Sequence, residues 1–161
     1  MKIPVYLALG SNLGDRFLHL RRAIKELFRE VAIDTMSRVY ETDAMYVSEQ
    51  PKFLNMVVRG KTLFRPDDLL IFVKELEFFL GREHNYRYGP RVIDIDILFY
   101  GDQIVNLPYL EIPHPRIFER EFVLRPLLDI AQNLNHPKLN LSIREMFCSL
   151  PKESTIEVFR G

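Results

Sequence analysis

The sequence predicts an α+β fold, a ferredoxin-like βαββαβ sandwich with additional C-terminal helices and a short edge strand. Three observations predict it. Four segments carry the β-branched, aromatic and apolar character of strands. Two others repeat apolar residues at helical spacing. The two kinds alternate as β-α-β-β-α-β, the split βαβ order.

Val5 to Leu9 reads as a buried strand, and Gly10-Ser11-Asn12-Leu13-Gly14-Asp15 turns the chain. From Arg16 to Arg29, Leu20, Ala23, Ile24, Leu27 and Phe28 share one side of a helix, with Asp15 as its N-cap. Ile33 to Thr42 is the second strand, Asp43 to Lys52 a polar loop, and Asn55 to Phe64 the third strand. Pro66 opens the second helix, with Asp67 and Asp68 near the positive end of its dipole. Leu69, Leu70, Val73, Leu76, Phe79 and Leu80 form its apolar stripe, and Gly81 stops it. Val92 to Tyr100 is the fourth strand, closed by Gly89-Pro90 and Gly101. Beyond it, Ile104-Val105 reads as a short strand, and Pro108, Pro113, Pro115 and Pro126 break the next stretch. Ser142 caps a short helix to Leu150, and Thr155 to Phe159 is an edge strand.

The 161 residues suffice for one domain, taken as 1–161, with a real core. Lysine plus arginine and aspartate plus glutamate number 22 each, which argues against a broad basic surface and so against nucleic-acid binding. A single cysteine, Cys148, makes no disulfide framework and points to a reducing, cytoplasmic setting. No apolar run is long enough to span a bilayer, and a soluble monomer is expected.

The most informative segment is Arg87-Tyr88-Gly89-Pro90-Arg91-Val92-Ile93-Asp94-Ile95-Asp96-Ile97-Leu98. On a strand, Asp94 and Asp96 project from one face and Ile93, Ile95 and Ile97 from the other. Paired carboxylates repel unless a cation sits between them, and Mg²⁺ suits oxygen ligands. Arg82, His84, Arg87 and Arg91 lie beside them, so a polyphosphate is the expected partner. The competing view is two aspartates facing water on a half-exposed sheet. Asp is a poor strand former, and its presence twice in an apolar run favours the site.

Gly10 to Gly14 lies between strand and helix, where backbone N–H groups can hold an anion; it is not a Walker A loop, and an ordinary strand-to-helix turn is an equal alternative. Phe53 beside Asn55 suits a planar heterocycle, although Phe53 as a core residue remains the simpler alternative. His114 to Leu124 is an irregular, Pro-containing stretch to which His114, Arg116 and Arg120 add positive charge; the alternative is a solvated surface loop with Phe122 pinned into the core. His19, His84, His114 and His136 lack zinc-ligand spacing.

Together these motifs resemble the 6-hydroxymethyl-7,8-dihydropterin pyrophosphokinase family, from the first strand to about Leu128. The resemblance rests on Ala8 to Gly14, Pro51 to Asn55, Glu77 to Arg82, Arg87 to Leu98, Pro113 to Arg116 and Arg120 to Leu124. It implies transfer of the ATP β,γ-pyrophosphoryl group to the pterin hydroxymethyl oxygen, with two Mg²⁺ ions and AMP as the second product. It further implies Asp94 and Asp96 as metal ligands, and Arg82 and Arg91 as catalytic loop arginines. Phe53 and Phe122 would sandwich the pterin, and Asn55 would read its edge with Thr42 to Met45 assisting. Glu77, Arg87, Tyr88, His114 and Arg120 would lie on the ATP side. The chain departs from the family at Lys74, where glutamine is common, and at Tyr88, where tryptophan is frequent. Two rivals stand beside this reading. A nucleotidyltransferase would carry Gly-Ser and Asp-x-Asp close together, whereas Ser11 and Asp94 are far apart. A ferredoxin-like binding module for RNA or a regulatory metabolite would show no Mg²⁺-dependent turnover, and the RNA-binding kind would need aromatic sheet positions in a basic setting.

Overall fold

In the computed structural model, the described residues are 1–44, 49–81, 89–151 and 155–161. Met45, Arg82, His84, Arg87 and Tyr88, all named above, lie outside them.

Strand β1 (Ile3–Ser11) is the centre of the sheet. It pairs antiparallel with β4 (Phe53–Thr62) on one side and with β5 (Asp94–Tyr100) on the other, so β5 is an edge. On the far side of β4 lie β2 (Val31–Met36) and β3 (Tyr40–Thr42), with β8 (Glu157–Val158) closing against β3. A small hairpin of β6 (Val105–Leu107) and β7 (Leu110–Ile112) stands apart.

Helices α1 (Arg16–Leu27) and α2 (Pro66–Phe79) cover one face of the sheet. The other face is covered by α3 (Glu121–Ala131) and α4 (Ile143–Cys148). Strand alternation divides the side chains between the two layers. Val5, Leu7, Leu9, Ile95 and Ile97 enter the α1/α2 core, whereas Tyr6, Val57 and Leu98 enter the α3/α4 core. The Asp94 and Asp96 side chains therefore lie on the α3 side, as the period of two requires.

Several local readings are borne out. Asp15 caps α1 by accepting the Leu18 N–H at 3.2 Å, and Ser142 and Glu145 form a capping box on α4. Four need correction. β1 continues through Gly10 and Ser11, so the turn begins later than expected. The second strand is interrupted at residues 37–39, where the Arg38 backbone N–H and guanidinium both bond Asp129 of α3 and leave the ladder. The stretch expected to be broken by proline contains α3, with Pro126 inside it. Pro126 removes one helical hydrogen bond, but Val123, Leu124 and Leu127 are buried with it, and that burial outweighs the loss. Finally, Phe28 and Phe79 point to solvent, and the buried position near the end of α2 belongs to Glu77.

Candidate active site

The register of three strands builds the floor of a pocket. Gly10 stands opposite Asp94 on β5 and opposite Asn55 on β4; Ala8 stands opposite Asp96 and Val57. Small residues in the middle strand leave a depression between the carboxylates and the amide. At Gly10 the space is tight: an added Cβ would lie 2.8 Å from Asn55 Oδ1 and 3.5 Å from the Phe53 ring. Arg120 and Phe122, at the start of α3, form a wall, and Gly89 and Arg91 form a rim. The pocket holds about 110 Å³.

Of the residues expected from sequence, the pocket brings together Thr42, Phe53, Asn55, Arg91, Asp94, Asp96, Arg120 and Phe122. Asn55 is buried and its amide is aimed by a 2.8 Å hydrogen bond from Nδ2 to the buried Thr42 hydroxyl. The Arg120 guanidinium sits 5.5 Å from the centre of the Phe122 ring, and its Nε is buried without a hydrogen-bond partner among the described residues. A buried guanidinium nitrogen left in this way calls for an acceptor from a ligand.

Asp96 is electrostatically unlike an ordinary surface aspartate. Burial, with the neighbouring Asp94 charge reinforcing it, pushes the Asp96 carboxyl up to about 7. Lys74 and Arg120 oppose that rise, and Glu77 adds to it. His114 is held neutral: burial, together with Arg120, Lys74 and Arg116, brings it down to about 4 against a partial opposing effect of Asp94. Its Nδ1 accepts the Arg116 backbone N–H at 3.2 Å.

Glu77 is not on an open nucleotide face. It is 1% exposed, and its carboxylate accepts the Ile95 N–H at 2.7 Å, bracing β5 between the two aspartates. Asn12 is a site residue that sequence reasoning left without a role. Its Nδ2 donates to Gln50 Oε1 at 3.0 Å and to the Pro51 carbonyl at 3.2 Å, while its Oδ1 accepts the Arg91 N–H at 2.7 Å. The signal available was an amide, donor and acceptor at once, placed where a strand meets a turn.

Among the described residues no group of three or more His, Cys, Asp or Glu side chains gathers as a metal cage. Two carboxylates on one strand face fit a hard cation that takes its other ligands from water and phosphate, as Mg²⁺ does.

A model of the 7,8-dihydro-6-hydroxymethylpterin-pyrophosphokinase family matches residues 6–132, which include every pocket residue named above. The chain belongs to this family. It is 39% identical over 155 residues to the 2-amino-4-hydroxy-6-hydroxymethyldihydropteridine pyrophosphokinase of Aquifex aeolicus, covering 96% of this chain and 94% of that protein. The enzyme of the same name from Bacillus subtilis is 43% identical over 131 residues, covering 80% of this chain and 78% of the relative. Other relatives are much longer. The chain is 45% identical over 152 residues to a folic acid synthesis protein of Dictyostelium discoideum, covering 94% of itself and 23% of that protein. In fold it is similar to the crystal structure of Plasmodium falciparum HPPK-DHPS with pteroate. The TM-score is 0.75 at 18% identity, over 92% of this chain and 42% of the other.

Proposed function

We propose that the protein is an ATP-dependent pyrophosphokinase that transfers the pyrophosphoryl group of ATP to 6-hydroxymethyl-7,8-dihydropterin. The products are the pterin diphosphate and AMP, and the reaction belongs to folate biosynthesis. The observation that carries this reading is the row Asp94, Gly10 and Asn55 across three strands, which opens a carboxylate pair and an oriented amide into one pocket. Family membership supports it independently.

In this reading the pterin lies between Phe53 and Phe122, where two aromatic faces match a flat ring. Asn55, fixed by Thr42, reads the heterocycle edge through its donor and acceptor. Arg91 and Arg120 face the phosphates, and Arg82, Arg87 and Tyr88 are proposed beside them. His114, held neutral, adds no further charge on the ATP side. Asp94 and Asp96 would hold magnesium, as two ions, supplying charge neutralisation across the phosphate oxygens. Arg120 offers its guanidinium to the transferred group, where the developing charge needs a fixed cation. Glu77 acts at one remove, by holding the backbone of Ile95 and so the spacing of the two aspartates.

The ferredoxin-like reading of the fold is supported by the sheet order β5-β1-β4, with β2 and β3 together beyond β4. The whole of 1–161 reads as one domain, because α4 packs in the same core as α3, and β8 pairs with β3. A free, exposed Cys148 fits a reducing cytoplasmic setting for a monomer. No helix among the described residues is long and apolar enough to cross a membrane.

The test is incubation with ATP, Mg²⁺ and the reduced hydroxymethylpterin, followed by identification of the nucleotide product. AMP with pterin diphosphate is expected. Release of inorganic pyrophosphate would mean attack at the α-phosphorus and a nucleotidyltransferase instead.

A further inference from the structure

Lys74 reaches from α2 around the edge of β5. Its Nζ donates to the Ile95 carbonyl at 3.2 Å and to the Glu77 carboxylate at 3.3 Å, and it stands 3.9 Å from Asp96 Oδ1. Glu77 in turn accepts the Ile95 N–H. The pair thus takes the place of a neighbouring strand for one residue, meeting both backbone groups of Ile95 at the sheet edge. An ammonium held by a carbonyl and by a buried carboxylate is a placed charge, unlike a mobile surface lysine. It is placed on the side chain that defines the carboxylate pair.

We propose that Lys74 is a positioning residue that makes metal capture at Asp94 and Asp96 depend on the nucleotide. The inference rests on the reading of those aspartates as magnesium ligands. An ammonium beside Asp96 partly neutralises the pair, so it eases the repulsion between the carboxylates while the pocket holds no other cation. The same charge repels a divalent ion that arrives alone. A polyphosphate reverses the balance. Its several negative charges outweigh one ammonium, and Lys74 then attracts the metal–nucleotide complex that it opposed as bare metal. The role needs both properties seen here: a positive charge, and a fixed location given by Ile95 and Glu77.

The experiment measures Mn²⁺ binding by the electron-spin resonance of free ion, at pH 8 and fixed ionic strength, with and without a non-hydrolysable ATP analogue. Lys74→Gln keeps a donor for Ile95 and Glu77 but removes the charge, and Lys74→Arg keeps the charge. Without nucleotide, Lys74→Gln is expected to bind Mn²⁺ about three- to tenfold more tightly than wild type, a size set by a half-exposed charge a few ångströms away. With the analogue present the advantage disappears or reverses. Lys74→Arg retains the wild-type dependence on nucleotide. Thermal melting checks that each variant is folded; Lys74→Met, uncharged and of similar reach, carries the same comparison if Lys74→Gln is not. Equal or weaker Mn²⁺ binding by the uncharged variant without nucleotide overturns the proposal. An Asp96→Asn protein that binds Mn²⁺ as wild type does overturns the metal reading itself, and this role of Lys74 with it.

Discussion

Asn12 and Arg91 hold each other at two points. The Asn12 backbone N–H donates to the Arg91 carbonyl at 3.0 Å, and the Arg91 N–H donates to Asn12 Oδ1 at 2.7 Å. The other end of the same amide holds Gln50 and Pro51, so one buried side chain ties the rim that carries Arg91 to the segment that leads into Phe53. Asn12→Ala would leave the Arg91 N–H without this acceptor, at a cost of about 1–3 kcal/mol in stability. Asn12→Asp keeps that acceptor and loses the donors, so it should spare Arg91 and loosen the Phe53 side. Comparing kcat and pterin affinity of the two variants checks this: pterin affinity should fall in both, and kcat should fall further in the alanine variant. Identical kinetics in the two would show that the bridge carries no information between its ends.

The site was legible in the sequence where its chemistry is local. Asp94 and Asp96 share a face because a strand has a period of two, and nothing elsewhere in the chain changes that. Asp15 and Ser142 cap helices for equally local reasons. What was not legible depends on distant partners. The break at residues 37–39 contains no glycine or proline; it exists because Asp129, far along the chain, takes the Arg38 backbone and side chain. α3 survives Pro126 because a second core lies beneath it. Glu77 reads as an exposed helix residue until β5 is seen to offer it an unpaired edge N–H. The pattern of apolar residues in α2 could not reveal this, since a buried glutamate has no hydrophobic periodicity.

Asp96 sets a testable dependence on pH. Its folded-state carboxyl lies at about 7, above the ordinary 3.8, chiefly through burial and then through Asp94. The folded protein therefore binds the proton more tightly than the unfolded chain does. This contribution to stability is present at low pH and is lost as pH rises from about 4 through 7. Asp96→Asn should remove that loss, leaving the metal-free variant more stable than wild type at pH 8 and about equal at pH 4. Mg²⁺ should raise the melting temperature of wild type more at pH 8 than at pH 6, because proton and metal compete, and should do little for the variant. In turnover, Asp94→Asn and Asp96→Asn should each fall by about a hundredfold or more, the scale of removing transition-state charge stabilisation. Melting curves across pH with and without Mg²⁺ decide the matter; equal slopes for wild type and Asp96→Asn would contradict it.

Phe53 and Phe122 separate two kinds of aromatic contribution. Both line the pocket and both are only partly buried, so truncation should cost little in folding. Phe122→Ala should weaken pterin binding by about 1–3 kcal/mol, the worth of lost stacking and burial, with ATP affinity nearly unchanged. Calorimetric titration with each ligand checks this. Parallel losses of pterin and ATP affinity would mean that Phe122 supports the fold of the pocket wall and does not stack on a ring.

His114 gives the opposite pH limb. Burial, then Arg120, hold its folded-state value near 4, against 6.5 for the free imidazole. Here the unfolded chain binds the proton more tightly, so the contribution to stability is present above 6.5 and is lost as pH falls toward 4. His136, also lowered by burial, adds to the same limb. Asp129 extends it to lower pH: burial alone would raise its carboxyl, but the hydrogen bonds from Arg38 and Tyr40 hold it below the ordinary value, so its stabilisation disappears as pH falls through that range. In wild type the His114 and Asp96 slopes oppose each other, and each must be read from its own variant. His114→Gln should lose less stability than wild type between pH 6.5 and 4, with the two curves parallel above 7. The His114 ring resonance, followed by nuclear magnetic resonance, should titrate with a midpoint near 4 in the nucleotide-free protein. A midpoint near 6.5 would mean that the imidazole is hydrated and remote from Arg120, and the geometry of the ATP side would have to be redrawn.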